Sequence, residues 1–462
     1  MQRHTRLAGV SLAAAALTIV PLGLSAQEPG WRAPHATTGI KMGGSENMEV
    51  LAHIPLGGFF RVTDVEMEQE MARPYVYVPQ ARERAGFSII DISDPENARK
   101  IYSWVIEDVE LHEGLGGMDG KYFKTNGRYY YVQSLQFAQG GADSDLGAVV
   151  FDVTGLPDVS QVREVARIRA PDTPGGFHNI YMYKHSSGRP LLFTTVSASR
   201  ANVYDMDRLV AGDANSGLIG EVPAPESPFG PGGYHDFYVG YDPNTGQDKF
   251  YGAGRGGYYV YDVTVPETPE LLFSITGVPG VTGGHTFTPT PDGKYAVTES
   301  EYQYAPLRLF DLQPGQSGEV RNISRPVGAW TADWEALAHN HEIRWPFVFV
   351  SAYEDGLQIF NMQDPANPIT VGWYYTFNGP HMRGYGGRQA DDYRGTSVMN
   401  GAFGVDVRNE DGLIVLSDTE TGFWLFKMDG FSGWNGEDWG MPNLSSAQDW
   451  ENGPVRRTAA VP

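Results

Sequence analysis

The chain of 462 residues contains no cysteine. That absence excludes disulfides, thiolate metal sites, a covalently attached c-type haem and a lipid-modified cysteine at the N-terminus. Any metal must therefore sit on histidine and carboxylate. Basic residues are scarce, 34 Lys and Arg against 56 Asp and Glu, for a net charge of −22. A field of that sign repels nucleic acid phosphates and anionic lipid, so neither nucleic acid nor membrane insertion is expected. No segment carries a helical period long enough for a helical domain, and no stretch of Gly and Pro gathers into a linker. Long apolar runs are lacking too, except at the start. There Arg3 and Arg6 precede an apolar run from Leu7 to Leu24 that contains Pro21, followed by Ser25-Ala26. This pattern predicts a signal peptide over 1–26 with cleavage near Ala26, and a periplasmic or secreted mature chain. Cleavage would leave 32 basic residues against 56 acidic ones, a net −24.

What the chain has in abundance is punctuation: 57 glycines and 31 prolines, with 25 tyrosines, spread evenly. Such a composition suits many short strands joined by turns. One unit recurs, a short apolar run ending in an acid, then a turn and another strand. Examples are "GFSIIDISDPENARKIYSW", "GYYVYDVTVPETPELLFSI" and "GLQIFNMQDPANPITVGWY". The acidic or equivalent position falls at Asp91, Asp152, Asp205, Asp262, Asp311, Asn361 and Lys427, at steps of 49 to 66 residues. Two further strand-like runs joined by tight turns precede each copy, as in "HTFTPTPDGKYAVTES". A four-stranded unit of about 50 residues repeated seven times predicts an all-β chain, a seven-bladed β-propeller of four-stranded antiparallel blades. The seventh copy ends at Gly430 without a fourth strand, and "NMEVLAHIPLGG" near residue 47 matches the missing one. An N-terminal strand closing the last blade is therefore expected. The resulting division is a lead-in over 27–46, the propeller over 47–430, and a loosely docked tail over 431–462.

The copies "IIDISDPENARKIYSW" and "IFNMQDPANPITVGWY" resemble LVIVD repeats, the blade type of a group of secreted bacterial propellers. The resemblance spans roughly residues 48 to 430, although the third, fifth and seventh copies lack the Asp-Pro turn. It implies the architecture and export, and it carries no activity.

Chemistry concentrates where the innermost strands begin. "GGFHNI", "GGYHDF", "GGHTF" and "HNHEI" place His178, His235, His285 and His341 at matching positions in blades three to six. Gly120 and Phe403 fall at that position in the second and seventh blades. His339 precedes His341 by two, on the same strand face. Two explanations stand. The imidazoles could be buried hydrogen-bonding rivets, as a Gly-His pair is in WD40 blades. Alternatively they ligate a divalent transition metal (Zn, Cu, Mn or Fe) in the channel, with an open position for a ligand or water. The loops on that rim supply Arg200 and Arg255 as a grip for an anionic group, and Tyr302 and Tyr353 as proton carriers. The long loop "GPHMRGYGGRQADDYRGTS" adds Arg383 and His381 in the same two roles. His112, His53, His185 and the acidic "GGADSD" segment look structural. Paired tyrosines such as Tyr258-Tyr259 are expected between blades. Two functions follow: an exported binding module taking a small-molecule, oligomeric or protein ligand at one rim of the channel, with a histidine-bound metal inside, or a metal-dependent lyase, hydrolase or oxidase acting on an anionic substrate there.

Overall fold

The computed structural model describes residues 43–58, 60–109, 112, 114–137, 143–213, 215–334, 336–377, 399–436, 449–451 and 453–454. Within them, strands gather into seven antiparallel sheets, the blades of a propeller. The innermost strands, blade one to blade seven, are Glu66–Met67, Gly114–Thr125, Ile180–Lys184, Tyr234–Asp242, Phe287–Pro289, Asn340–Arg344 and Ala402–Val407.

The apolar patterning follows from position in the blade. The two middle strands of blade one, Tyr75–Gln80 and Gly86–Asp91, are buried at every residue because neighbouring blades cover both faces. The outer strand, Arg99–Val105, alternates towards solvent. Aromatic rings fill the seams: Tyr77 of blade one stacks on Tyr131 of blade two at 4.2 Å, and Tyr258 meets Phe287 at 5.5 Å. The paired tyrosines therefore build the core, as expected.

The recurrent acid has a local explanation. At the end of the third strand in six of the seven blades its side-chain oxygen accepts the backbone N–H two residues on, closing an Asx turn, while Lys427 stands there in blade seven. Asp91 does this for Ser93, Asp152 for Thr154, Asp205 for Asp207, Asp262 for Thr264, Asp311 for Gln313, and Asn361 for Gln363. In two blades the same side chain also holds the start of the outer strand, Asp91 pairing with Arg99 and Asp152 with Arg163. The motif is thus a turn device, not a site.

Closure occurs as expected. Met48–Ile54 pairs antiparallel with Gly422–Met428, from Met48 opposite Met428 to Ile54 opposite Phe423. Two small additions were not legible: Gly43–Gly44 extends blade six, and Asn322–Ile323 adds a parallel edge to blade four. The tail differs from the expectation of loose docking. Trp434 is buried and its indole N–H donates to the Trp345 carbonyl at 2.8 Å. Trp450 is buried against Tyr122 and Phe123 of blade two, and Lys124 pairs with Glu451. Those anchors lie on different sides of the ring, blade six for Trp434 and blade two for Trp450. No helix among the described residues is long and apolar enough to cross a membrane.

Candidate metal centre at one mouth of the channel

Each innermost strand starts at one mouth of the channel, and the loops joining second to third strands share it. There the imidazoles form a continuous arc. His178 lies 4.5 Å from His235 between ring centroids, His235 lies 4.2 Å from His285, and His285 lies 4.8 Å from His339. Phe403 of blade seven ends the row, 3.7 Å from His339. The rest of the arc carries Met118, Phe60 and Leu337 in one cluster with Phe403 and Tyr353, with the Arg82 guanidinium 5.3 Å from the Phe60 ring.

The member contributed by blade six is His339. Its backbone N–H donates to Ser351, as that of His285 donates to Glu299, so both occupy the same ladder position. Each is followed by a polar residue and then an inward position: Thr286 and Phe287 after His285, Asn340 and His341 after His339. His341 therefore stands one layer deeper, where blades three, four and five have Ile180, Phe237 and Phe287. It lines the channel wall below the arc. The expectation of His341 at the arc position is thus corrected to His339, because His341 fills the slot that is apolar in blades three to five. By the same count Met118, rather than Gly120, takes the arc position in blade two.

Three imidazoles are held from behind through Nδ1. His178 Nδ1 meets Gln136 Oε1 at 2.7 Å, and His339 Nδ1 donates to the Phe403 carbonyl at 2.6 Å. His285 Nδ1 meets Glu299 Oε2 at 3.1 Å and Thr286 Oγ1 at 2.8 Å. A carbonyl partner fixes the proton on Nδ1 of His339, leaving a lone pair on Nε2. An outer acceptor of this kind is how metal-ligating histidines are usually oriented. Burial, and then the neighbouring His285, pulls the His339 pKa down to about 3, so its ring is neutral at ordinary pH.

Glu301 completes the group. Its Oε2 lies 3.8 Å from His285 Nε2, and Tyr353 Oη donates to its Oε1 at 2.6 Å. One donor atom each from His235, His285 and Glu301 all fall within 4.8 Å of one another, the set of three among the described residues suited to an ion. Donors bound at about 2.0–2.2 Å to one metal lie roughly 3–3.5 Å apart, so rotamer shifts that bring the widest pair in by about 1.5 Å would close the set. Two imidazoles and a carboxylate form a borderline ligand set suited to Zn, Fe or Mn. In the sequence the alternation of Glu299 and Glu301 in "ESEY" is the one signal that marks Glu301.

The other expected residues are scattered. Tyr353 is fully buried and oriented on Glu301, whereas Tyr302 is 39% exposed with its hydroxyl 3.4 Å from Thr282 Oγ1. Arg255 is exposed at the rim, bridged through its backbone to Gly283. Arg200 is already neutralised, paired with Asp172 and with Glu221 at 3.1 Å. His381 and Arg383 lie outside the described residues. His112 is held by Asp143 and the Asp108 carbonyl, and His185 by Asp248, Ser187 and the Val263 carbonyl, both structural as expected.

Below the arc the channel encloses a cavity of about 70 Å³ walled by Asp64, Glu66, Asp119, Asp236, Glu342 and Asp406, with Lys121 among them. Lys121 Nζ lies 2.7 Å from Asp119 and 3.3 Å from Asp64. Burial raises Asp236 and Asp406 to about 7. Trp450 of the tail closes part of the wall.

No known protein-family model matches the chain, and no curated protein matches it.

Proposed function

We propose that the protein is an exported, LVIVD-type propeller that binds one divalent transition metal at the mouth of its channel and captures a small anionic ligand over it. His235, His285 and Glu301 would hold the ion, with His178 and His339 as flanking imidazoles. The supporting observation is the convergence of those three donors, His285 and Glu301 buried and His235 half-buried, while Glu299 and Tyr353 steady His285 and Glu301 from outside. A rivet needs only its own acceptor; it does not need a second imidazole and a carboxylate at its other nitrogen.

Bound there, a metal would supply Lewis acidity towards a ligand oxygen. The chain's own part is to orient and to balance charge. Arg255 offers a cation at the rim, and the apolar side of the mouth, Phe60, Met118, Leu337 and Phe403, limits water. A second reading, a metal-dependent enzyme acting on an anionic substrate, is favoured by Tyr353, whose hydroxyl donates to Glu301 and could turn its proton to a basic ligand atom.

The test is elemental analysis of untagged protein beside His285→Ala and Glu301→Gln. About one equivalent of Zn, Fe, Mn or Cu in the parent, lost in both variants while their fold persists, is expected. Metal-free parent protein that takes up none of these ions on dialysis would sink the proposal. Mass spectrometry of the mature N-terminus checks export, with Gln27 as the expected first residue.

A further inference from the structure

Among the described residues four aromatic side chains are largely exposed: Phe229 at 49%, Trp334 at 45%, Tyr302 at 39% and Tyr304 at 37%. Every other described aromatic is at least partly covered in the blades or their seams. Strand direction places all four on one rim. Phe229 lies in the connection from the outer strand of blade three to the inner strand of blade four. Tyr302 and Tyr304 lie between the second and third strands of blade five, and Trp334 lies in the passage to blade six. This is the rim and the arc that carry His235, His285 and Glu301.

The crown is continuous. Tyr304 donates its backbone N–H to the Trp334 carbonyl at 3.0 Å, and their rings stand 6.4 Å apart at 58°. That tilt leaves ring faces uncovered by each other. Tyr302 follows Glu301 directly and reaches Thr282. Gly283, next in the chain, bridges to Arg255. The Arg255 side chain lies over Gly232, where an added Cβ would come within 2.9 Å of it, and Gly232 belongs to the Phe229 loop. Arg255 itself is exposed, and among the described residues no carboxylate pairs with it. Arg200, by contrast, is neutralised by two.

Exposed ring faces in a chain that buries nearly all its other aromatics, beside an unneutralised guanidinium, point to a ligand with complementary parts. The chain's net charge of −22 would otherwise turn an anion away. We infer that this mouth captures a small aromatic carboxylate, its ring against Tyr302, Tyr304 and Trp334 and its carboxylate on Arg255. The inference deepens the proposed function by naming the ligand class, and rests on it for what lies beneath the ligand. Sugar acids share the carboxylate and an apolar ring face, and quaternary ammonium ions share the liking for aromatic rings. The probes separate these.

Untagged full-length protein, chelator-stripped and Zn²⁺-supplied in parallel, is titrated calorimetrically with benzoate, cyclohexanecarboxylate, glucuronate and phenyltrimethylammonium. Benzoate is expected to bind at least tenfold more tightly than the other three. Arg255→Gln and Trp334→Leu, both at exposed positions and so expected to fold, should each weaken it about tenfold, the loss of one charge-assisted bond or one stacking face. Equal binding of benzoate and cyclohexanecarboxylate, tighter binding of glucuronate or of phenyltrimethylammonium, or benzoate binding indifferent to both variants overturns the inference. Zn²⁺ uptake with no benzoate binding sinks the inference alone. Arg255-dependent benzoate binding by a protein that takes up no metal upholds it and sinks the metal centre alone.

Discussion

Replacing His341 by leucine should make the protein less sensitive to acid. His341 is 4% exposed and stands in the layer that other blades fill with Ile180, Phe237 and Phe287. Neither ring nitrogen is within hydrogen-bonding geometry of a described group. Burial draws its pKa down from 6.5 to about 4, with only the Val297 backbone pulling the other way. The folded ring is therefore neutral where the unfolded one begins to take a proton. A depressed folded pKa means that stability is intact above 6.5 and lost as pH falls towards 4. With those two values the loss is about 2 kcal/mol at pH 5 and about 3 kcal/mol at pH 4, against almost nothing at pH 7.5. Leucine has no proton to gain, so urea unfolding of parent and variant should diverge by those amounts between pH 7.5 and pH 4. Every other titrating group cancels in the difference. Parallel pH curves would refute the argument, because they would mean that His341 titrates alike in both states.

Asp406→Asn should show the opposite slope: burial, and then Glu342, raises the Asp406 pKa to about 7, so folding bears an added cost as pH rises from 4 through 7 and the variant should gain on the parent over that interval in the same assay. Arg344→Met should destabilise by about 3–5 kcal/mol in urea at pH 7.5, because the fully buried guanidinium that holds Glu342 at 2.9 Å and the Val407 carbonyl at 2.5 Å would leave a carboxylate without its counter-charge. A chain starting at Pro55 should unfold at lower urea, and a peptide of residues 43–54 added in trans should restore the midpoint by pairing again with Gly422–Met428. Trp450→Ala should cost about 3 kcal/mol or more and make the chain near residue 450 an early site of limited proteolysis, since the ring's packing on Tyr122 and Phe123 holds that end of the tail.

The blades were legible because a propeller writes its period into the chain. The middle strands must be mostly apolar, and the turn after the third needs an acceptor two residues before an N–H. The strand period recurs seven times and the acceptor six, with Lys427 in the last copy, so both can be counted. The clasp was legible for the same reason, as a strand missing from one copy and spare at the other end. The tail was not. Trp434 and Trp450 each dock once, on blade six and blade two, and a contact made once leaves no period. The site falls between these cases. Its histidines recur and were found, but the repeat dates them only to within a residue or two, and a histidine in an apolar slot, His341, drew the alignment one layer too deep. Glu301 was harder still. Its place under Tyr353 depends on loops from two adjacent blades meeting, and in sequence it is one acid among 56 Asp and Glu. Repeats thus reveal what each blade does for itself. A ligand set assembled between blades is a property of the closed ring, and it becomes visible only when the ring is closed.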